Sequence, residues 1–156
     1  MSTNQSIILF SLTFLALGQA DFAGAAFAGD GFIALTPDAI EFRPVPGREG
    51  LSVALLHGHP DKDGFYVMRV RFAEDMRTSP HFHDQDRLVT VISGTWHFGT
   101  GKAGTCEGTK PLGPGSFAKH PKHAVHYDGS CGGPVVVEIS GRGPVKTTWV
   151  EAEMAD

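Results

Sequence analysis

Two histidines, His81 and His83, stand two positions apart directly after Pro80. In an extended strand this spacing puts both imidazoles on the same face of a sheet. Two imidazoles that converge from one strand supply half of a divalent metal site, and such a site takes one or two further ligands from elsewhere in the chain. The alternative interpretation is a pair of surface histidines at the end of a strand.

A second histidine-rich stretch, residues 115–126, follows later in the chain and ends in His126. Its last residues fall in a short predicted strand, 124–127. A second strand that presents a histidine favours a metal site built from two strands over an isolated surface pair.

The composition is typical of a small β-rich domain. A chain of 156 residues is one domain, long enough to bury a core. The 20 glycines and 10 prolines favour many short strands joined by turns over a helical bundle. The formal net charge is −4 and lysine and arginine form no cluster, which argues against a nucleic-acid partner.

The N-terminal sequence predicts export. Residues 7–17 form an apolar run that is too short to span a bilayer, for which about 20 residues are needed. Ala26-Phe27-Ala28 then fits the small-x-small pattern of a signal-peptidase site. We therefore expect a signal peptide at 1–28 with cleavage near Ala28, a periplasmic or secreted domain at 29–156, and no stable membrane span. Residues 1–6 carry no lysine or arginine, which leaves an uncleaved anchor or a buried N-terminal helix open.

Cys106 and Cys131 lie in glycine-rich segments, and neither belongs to a Cys-x-x-Cys pattern. In an oxidising compartment such a pair predicts a disulfide rather than a metal site. The bond would close a loop of about 25 residues and stabilise the fold by about 3 kcal/mol in the chain-entropy model. Two free thiols are the alternative.

Period-two alternation and turn residues predict an all-β domain. The clearest strand is 65–72, in which Tyr66, Met68, Val70 and Phe72 share one face. Glycine and proline make 100–115 a predicted loop, and 128–134 a predicted turn. The other predicted strands are 40–43, 51–56, 87–93, 95–99, 116–119, 124–127, 135–139 and 145–150. No convincing helical periodicity follows Gly29, so a sandwich or a barrel is expected.

Six residues have the order and spacing of the two cupin motifs: His81, His83, Gly94, Gly115, Pro121 and His126. The chain from about 40 to 150 thus resembles the cupin superfamily. The resemblance implies a double-stranded β-helix, or jelly-roll barrel, with His81, His83 and His126 pointing inward. It also implies that these three hold one divalent metal ion, commonly Fe, Mn, Ni, Cu or Zn.

Arg87 stands where the first cupin motif has glutamate, and a guanidinium cannot act as a metal ligand. Three interpretations stay open. Arg87 turns outward and pairs with Asp84 or Asp86, or it points inward and binds the carboxylate of an anionic substrate. In the third, Gln85, Asp86 or His120 fills the vacant ligand position. The missing glutamate also leaves a metal-free site open. The second motif departs at His123 and Ser130, where glycine and asparagine are usual.

Arg87 and Tyr127 are the candidate catalytic residues, and a core position is the alternative for Tyr127. Phe82, Trp96 and Phe98 either wall an apolar pocket or fill the barrel.

The remaining histidines receive weaker roles. His57 and His59 fall in a surface turn, and His123 is expected to be exposed. His97 lines the cavity or faces solvent. His120 is expected to support a ligand from behind, with direct approach to the metal as the alternative.

The fold that the resemblance implies supports several activities, so function must be argued from the site. The leading hypothesis is dioxygenase-like oxidoreductase chemistry on a small, anionic organic molecule at a three-histidine mononuclear site. The alternative is a non-catalytic module that binds a small ligand or sugar, with a structural metal or none. A metal-handling protein is a third hypothesis, and the resemblance also carries the expectation of a homodimer.

Overall fold

In the computed structural model the described residues are 27–29 and 31–152, and they belong to two units that divide after Ala39. The first unit contains an antiparallel hairpin of β1 (Phe27–Gly29) and β2 (Phe32–Ala34), followed by a 3₁₀ turn at Pro37–Ala39. The predicted signal peptide, 1–28, lies almost entirely outside the described residues and stays a prediction.

The second unit consists of two antiparallel sheets. Its strands are β3 (Arg43–Pro44), β4 (Leu51–His57), β5 (Gly64–Phe72), β6 (His81–His83), β7 (Arg87–Ser93), β8 (Trp96–Thr100), β9 (Thr109–Leu112), β10 (Phe117–His120), β11 (His126–Gly129), β12 (Val135–Gly143) and β13 (Thr147–Trp149). One sheet has the order β10-β7-β12-β5-β4-β3, and the other β13-β6-β11-β8-β9. The described part of the chain contains no α-helix, and therefore none that could cross a bilayer.

The core between the sheets follows from the alternation in the sequence. On β5, Tyr66, Met68, Val70 and Phe72 are all buried, which confirms the face predicted for this strand. The neighbouring strands β7 and β12 add alternate valines to the same cluster, and Trp96 joins it from the opposite sheet. Each of these buried side chains stabilises the fold by about 1.5–3 kcal/mol, and this packing holds the two sheets face to face.

Two strand predictions were wrong in instructive ways. Residues 109–112 fall in the loop predicted at 100–115 from its glycines and prolines, but they form β9, an edge strand that pairs only with β8. An edge strand tolerates proline because one side of its backbone needs no partner. The predicted turn at 128–134 was also misplaced, since β11 continues through Asp128 to Gly129.

Gly129 explains the second error. Its φ of 146° is accessible to glycine, and a Cβ there would lie 2.3 Å from the Met76 carbonyl oxygen. The glycine therefore marks a close backbone approach at the last residue of β11, and the turn begins only after it.

Cys106 and Cys131 form the predicted disulfide, with their Cα atoms 6.0 Å apart. The bond joins the loop after β8 to the turn after β11, and the chain between the two cysteines includes β9, β10 and β11.

Candidate metal centre

His81 and His83 lie on β6, and His126 is the residue of β11 directly opposite His81. All three are at most 4% exposed. Their ring centroids are 4.4 Å (His81 to His126), 4.9 Å (His81 to His83) and 5.2 Å (His83 to His126) apart. One nitrogen from each lies within 4.8 Å of the others. The structure thus brings together the three histidines predicted as metal ligands.

Backbone hydrogen bonds orient two of these rings. His81 Nδ1 donates to the Ser79 carbonyl at 2.8 Å, and His126 Nδ1 donates to the Ala124 carbonyl at 2.9 Å. Because a carbonyl only accepts, the proton of each neutral ring resides on Nδ1 and the lone pair on Nε2. A hydrogen bond from the distal nitrogen to a carbonyl is the usual support of a metal-ligating histidine. His81 and His126 are therefore preorganised as Nε2 donors.

His83 is in a different situation. Nη1 of Arg87 lies 2.7 Å from His83 Nε2, and Thr147 Oγ1 lies 3.1 Å from His83 Nδ1. Since guanidinium only donates, His83 Nε2 must accept this hydrogen bond and Nδ1 must carry the proton. The nitrogen that would bind a metal ion is thus already occupied by Arg87.

Arg87 points into the barrel, which makes the outward-facing interpretation wrong. It shares the inward face of β7 with the core valines and is 9% exposed. The two aspartates proposed as its partners are bound elsewhere: Asp84 Oδ1 accepts from the Lys146 amide, and Asp86 pairs with Lys119 at 2.7 Å. Because side chains alternate along β7, Arg87 points to the same inner face as Val89 and Val91, whereas the aspartates lie in the turn before β7.

Tyr66 also lies close to the Arg87 guanidinium. Its hydroxyl is buried and has no hydrogen-bond partner within the described residues. Burial raises the pKa of Tyr66, and the positive charge of Arg87 partly opposes this shift. Burial also lowers the pKa of Arg87, but an arginine remains charged at any physiological pH. A cation is therefore fixed next to the histidines.

His120, predicted to support a ligand from behind, instead belongs to the cluster. It ends β10 on the inward face, and its ring centroid is 3.9 Å from that of His126. Phe98 stacks on it at 5.0 Å with an interplanar angle of 9°. Both ring nitrogens of His120 are buried without a hydrogen-bond partner among the described residues.

Asp128 is the residue of the site that the sequence analysis missed. It lies two residues after His126 on β11, so its side chain shares the inward face, and it is 5% exposed. Its Oδ1 lies 3.0 Å from the Thr78 hydroxyl. His120, His126 and Asp128 form a second group whose ligand atoms lie within 4.8 Å of one another. The signal was the spacing His126-x-Asp128, which the wrongly predicted turn at 128 concealed.

Burial lowers the pKa of all four imidazoles. It lowers that of His83 to about 2, and the Arg87 guanidinium is the next cause. In His120 burial acts together with the charges of His126 and Arg87. The Asp128 carboxylate opposes the effect of burial on the pKa values of His81 and His126. The rings are therefore neutral near pH 7, which is the form that binds metal ions.

These donors fit a divalent transition metal. Neutral imidazoles and a carboxylate are suitable ligands for Fe, Mn, Ni, Cu or Zn. His126 Nε2 and both nitrogens of His120 are buried without partners in the described structure. A buried polar atom left in that state costs about 1–3 kcal/mol, which a metal bond would recover. His83 fits less well, because a ligand role requires it to give up Arg87.

Tyr127 does not face the cluster, which corrects its predicted position beside the catalytic residues. Adjacent residues of a strand point to opposite faces, so Tyr127 points away from the side that carries His126. It is fully buried, and a Cβ on Gly99 would lie 2.3 Å from its Cζ. Its hydroxyl lies at Gly108, beneath the loop that the disulfide holds.

We expect the Tyr127→Phe variant to keep its metal content and any activity within about twofold of wild type. Removal of a buried hydroxyl that has no partner in the described structure should leave stability unchanged or raise it by about 1 kcal/mol. Metal analysis and urea unfolding test this expectation. Loss of metal in a variant that still folds would place Tyr127 in the site.

The other residues singled out lie around the cluster or away from it. Trp96 is fully buried and Phe98 stacks on His120, so both wall the cluster from β8. His97 points to the opposite face of β8 and hydrogen-bonds Thr109 Oγ1 at 2.9 Å. His123 is exposed as predicted, His57 is exposed at the end of β4, and His59 is half-buried in the turn that follows.

No family model and no curated protein sequence matches the chain. Solved structures do match it. The polyketide cyclase RemF from Streptomyces resistomycificus has a TM-score of 0.57 and 21% identity over 72% of this chain and 82% of its own. A sugar phosphate isomerase of the cupin superfamily from Silicibacter pomeroyi DSS-3 has a TM-score of 0.55 and 22% identity over 72% of this chain and 78% of its own. An RmlC-like cupin from Shewanella frigidimarina has a TM-score of 0.53 and 18% identity over 69% of this chain and 86% of its own.

The second unit of the chain is thus a small antiparallel β-barrel domain with a histidine cluster inside. Its fold is that of the cupin superfamily, as the two motifs predicted. Identities at this level establish the fold and leave the reaction to be argued from the side chains of the cluster.

Proposed function

We propose that this protein is a metal-dependent enzyme that acts on a small organic anion inside the barrel. The observation that carries the proposal is a set of buried imidazole nitrogens without partners, on His120 and His126, next to the buried cation of Arg87. The imidazole nitrogens can bind a metal ion, and the Arg87 guanidinium can bind an anion.

Arg87 supports an anionic substrate. Its Nε is buried without a hydrogen-bond partner, and it forms no salt bridge with any carboxylate in the described structure. The Asp128 carboxylate acts on Arg87 without ion-pair contact, and a guanidinium matches a directly bound carboxylate with two parallel hydrogen bonds. This is the inward-facing interpretation of Arg87 from the sequence. A substrate carboxylate would supply a counter-charge in direct contact with the guanidinium.

Trp149 marks the route by which a substrate would enter. Every member of the cluster is less than a tenth exposed, whereas Trp149 on the edge strand β13 is 42% exposed. Its ring lies 4.8 Å from that of His81, and the Arg48 guanidinium stacks on it at 3.6 Å. Movement of this one side chain would open the His81 side of the cluster to solvent, and Arg48 would attract an anion there.

The finer proposal is oxidative, dioxygenase-like chemistry. A bound redox metal would supply the ability to activate dioxygen beside the substrate. In this scheme Arg87 binds the substrate carboxylate and holds it in one orientation. Trp96 and Phe98 exclude water from the reacting carbon atoms, and the neutral imidazoles stay unprotonated near pH 7.

Arg87 also favours a second candidate, non-redox chemistry. A fixed guanidinium stabilises negative charge that develops on a substrate oxygen, which assists isomerisation or cyclisation without an oxidant. Two proteins of the same fold are described as a polyketide cyclase and a sugar phosphate isomerase. Trp149 and Arg87 would act as in the oxidative scheme.

Metal analysis by plasma mass spectrometry, followed by turnover assays in air and under nitrogen, tests the proposal. Near-stoichiometric iron with turnover that consumes oxygen supports the oxidative form. Turnover under nitrogen supports the non-redox form. Protein that binds no metal and converts no member of a carboxylate panel contradicts the proposal and favours the binding module.

Arg87→Gln is expected to weaken the binding of small carboxylates by about 10- to 100-fold, because a charge-assisted pair contributes about 1.5–3 kcal/mol. Isothermal titration with a panel of mono- and dicarboxylates measures the effect. Arg69→Gln is the matched control, since Arg69 pairs with Glu138 on the outer face of the sheet at 3.0 Å. Equal affinity in wild type and Arg87→Gln would contradict the role of Arg87.

We also propose that the protein is exported, as residues 1–28 predict. The Cys106–Cys131 disulfide supports this, because such bonds persist in oxidising compartments. N-terminal sequencing of the native protein should find a start near Gly29, and an intact Met1 would contradict cleavage.

A further inference from the structure

The cluster offers two overlapping sets of metal donors, and they differ in charge and in availability. One is the set implied by the cupin motifs, His81, His83 and His126, and the other is His120, His126 and Asp128. His126 belongs to both. The site around His126 is therefore completed either by His81 and His83 or by His120 and Asp128.

The Arg87 guanidinium makes the first set unfavourable. His83 Nε2 accepts from Arg87 Nη1 at 2.7 Å, so the lone pair that would bind a metal is in use. An ion bound to that nitrogen would displace the guanidinium and would lie next to its positive charge. Two cations at such a short distance repel each other strongly in a buried site.

The second set includes a carboxylate, and no hydrogen bond in the described structure occupies its imidazole nitrogens that would bind a metal. Both nitrogens of His120 and the Nε2 of His126 are buried without partners in the described chain, so binding a metal breaks no hydrogen bond. Asp128 is 5% exposed and forms no salt bridge within the described residues. The Arg87 charge acts on this carboxylate without ion-pair contact, and a divalent ion bound to Asp128 would neutralise it directly.

The Thr78 hydroxyl holds Asp128 in place for this role. The hydroxyl oxygen accepts a hydrogen bond from the Asp128 amide at 3.0 Å, and the hydroxyl donates one to Asp128 Oδ1 at 3.0 Å. Oδ2 is left without a hydrogen bond in the described structure. A ligating carboxylate fixed by a neighbouring hydroxyl is typical of metal sites.

We propose that the metal ion is held by His120, His126 and Asp128, and that His83 is a positioning residue that fixes Arg87. This inference rests on the metal dependence proposed above and names its ligands. Two imidazoles and one carboxylate with open positions form the donor set typical of non-haem ferrous iron. Asp128 thus supplies the negative charge that the cupin motif lost at Arg87, and Fe²⁺ is the ion expected.

Three variants with matched shape test the assignment. Asp128→Asn keeps an oxygen for the Thr78 hydroxyl but removes the charge. His120→Gln removes an imidazole from the second set. His83→Gln removes an imidazole from the first set but keeps an amide oxygen that can accept from Arg87. Each variant is stripped with a chelator, reloaded with Fe²⁺ under nitrogen and desalted, and its iron content is measured. Thermal unfolding of each metal-free variant verifies that it folds.

We expect wild type and His83→Gln to bind Fe²⁺ with dissociation constants within about threefold of each other. Asp128→Asn and His120→Gln should weaken binding by about 100-fold or more, since loss of a ligand exceeds the 10- to 100-fold effect of a supporting residue. The electron paramagnetic resonance signal of the nitric oxide adduct of the loaded protein should survive in His83→Gln and disappear in the other two.

The outcomes separate this inference from the function on which it rests. Loss of iron in His83→Gln, or retention in Asp128→Asn, overturns the ligand assignment and leaves the metal-dependent function intact. Wild type that takes up neither Fe²⁺ nor another divalent ion overturns both. If Asp128→Asn fails to fold, His120→Gln decides by the same criterion.

Discussion

Replacement of His126 by alanine is expected to abolish metal binding, with a loss in affinity of more than about 100-fold. His126 is shared by both groups of candidate ligands, so the expectation holds whichever group binds the ion. Its Nδ1 is fixed by the Ala124 carbonyl, and its Nε2 has no partner in the described chain. Metal content after reloading, measured by plasma mass spectrometry, gives the result directly.

His97→Ala is the matched control for this experiment. It removes an imidazole of the same size from the neighbouring strand β8, but from the face that carries Thr109 and not the cluster. We expect it to bind metal as wild type does. If His126→Ala retained a full complement of metal, the centre would lie outside the histidine cluster altogether.

Acidification is expected to destabilise the metal-free protein strongly below a pH of about 6.5, the ordinary pKa of histidine. Burial lowers the pKa values of the clustered histidines in the folded state, that of His83 to about 2. Below pH 6.5 the unfolded chain therefore binds protons that the folded chain does not. Full stability is present above that pH, and each histidine removes about 1.4 kcal/mol per pH unit as the pH falls toward its folded value.

Urea unfolding of chelator-treated protein at several pH values between about 7 and 4 measures this slope. His120→Phe provides the sharper test, because phenylalanine fills the stack against Phe98 but takes up no proton. The slope of the unfolding free energy with pH should correspond to about one bound proton fewer than in wild type. The variant should therefore be more stable than wild type at low pH. An unchanged slope would mean that His120 is already protonated in the fold.

The sequence predicted the fold well because period-two alternation is a local property that the core preserves. The buried face of β5 could be read directly, since Tyr66 to Phe72 alternate without interruption. The edge strand β9 could not, because Thr-Lys-Pro-Leu has neither apolar alternation nor a second partner strand to require it. Edge strands depend on their neighbours more than on their own residues.

The candidate site was only partly predictable. His81, His83 and His126 follow from their spacing, and the opposite direction of Tyr127 follows from its adjacency to His126. The direction of Arg87 was ambiguous, because apolar residues occupy both faces of β7. Asp128 was hidden by Gly129, whose role in a close backbone approach is visible only in three dimensions.

The Cys106–Cys131 bond has a practical consequence for handling the protein. His120, His126 and Asp128 all lie between the two cysteines, whereas His83 and Arg87 precede both. A thiol such as dithiothreitol would open this covalent loop, remove about 3 kcal/mol of stabilisation and loosen the side chains proposed to receive iron. Ascorbate keeps iron ferrous without attacking disulfides. Iron loading done with thiols would therefore report a weaker site than the intact protein possesses.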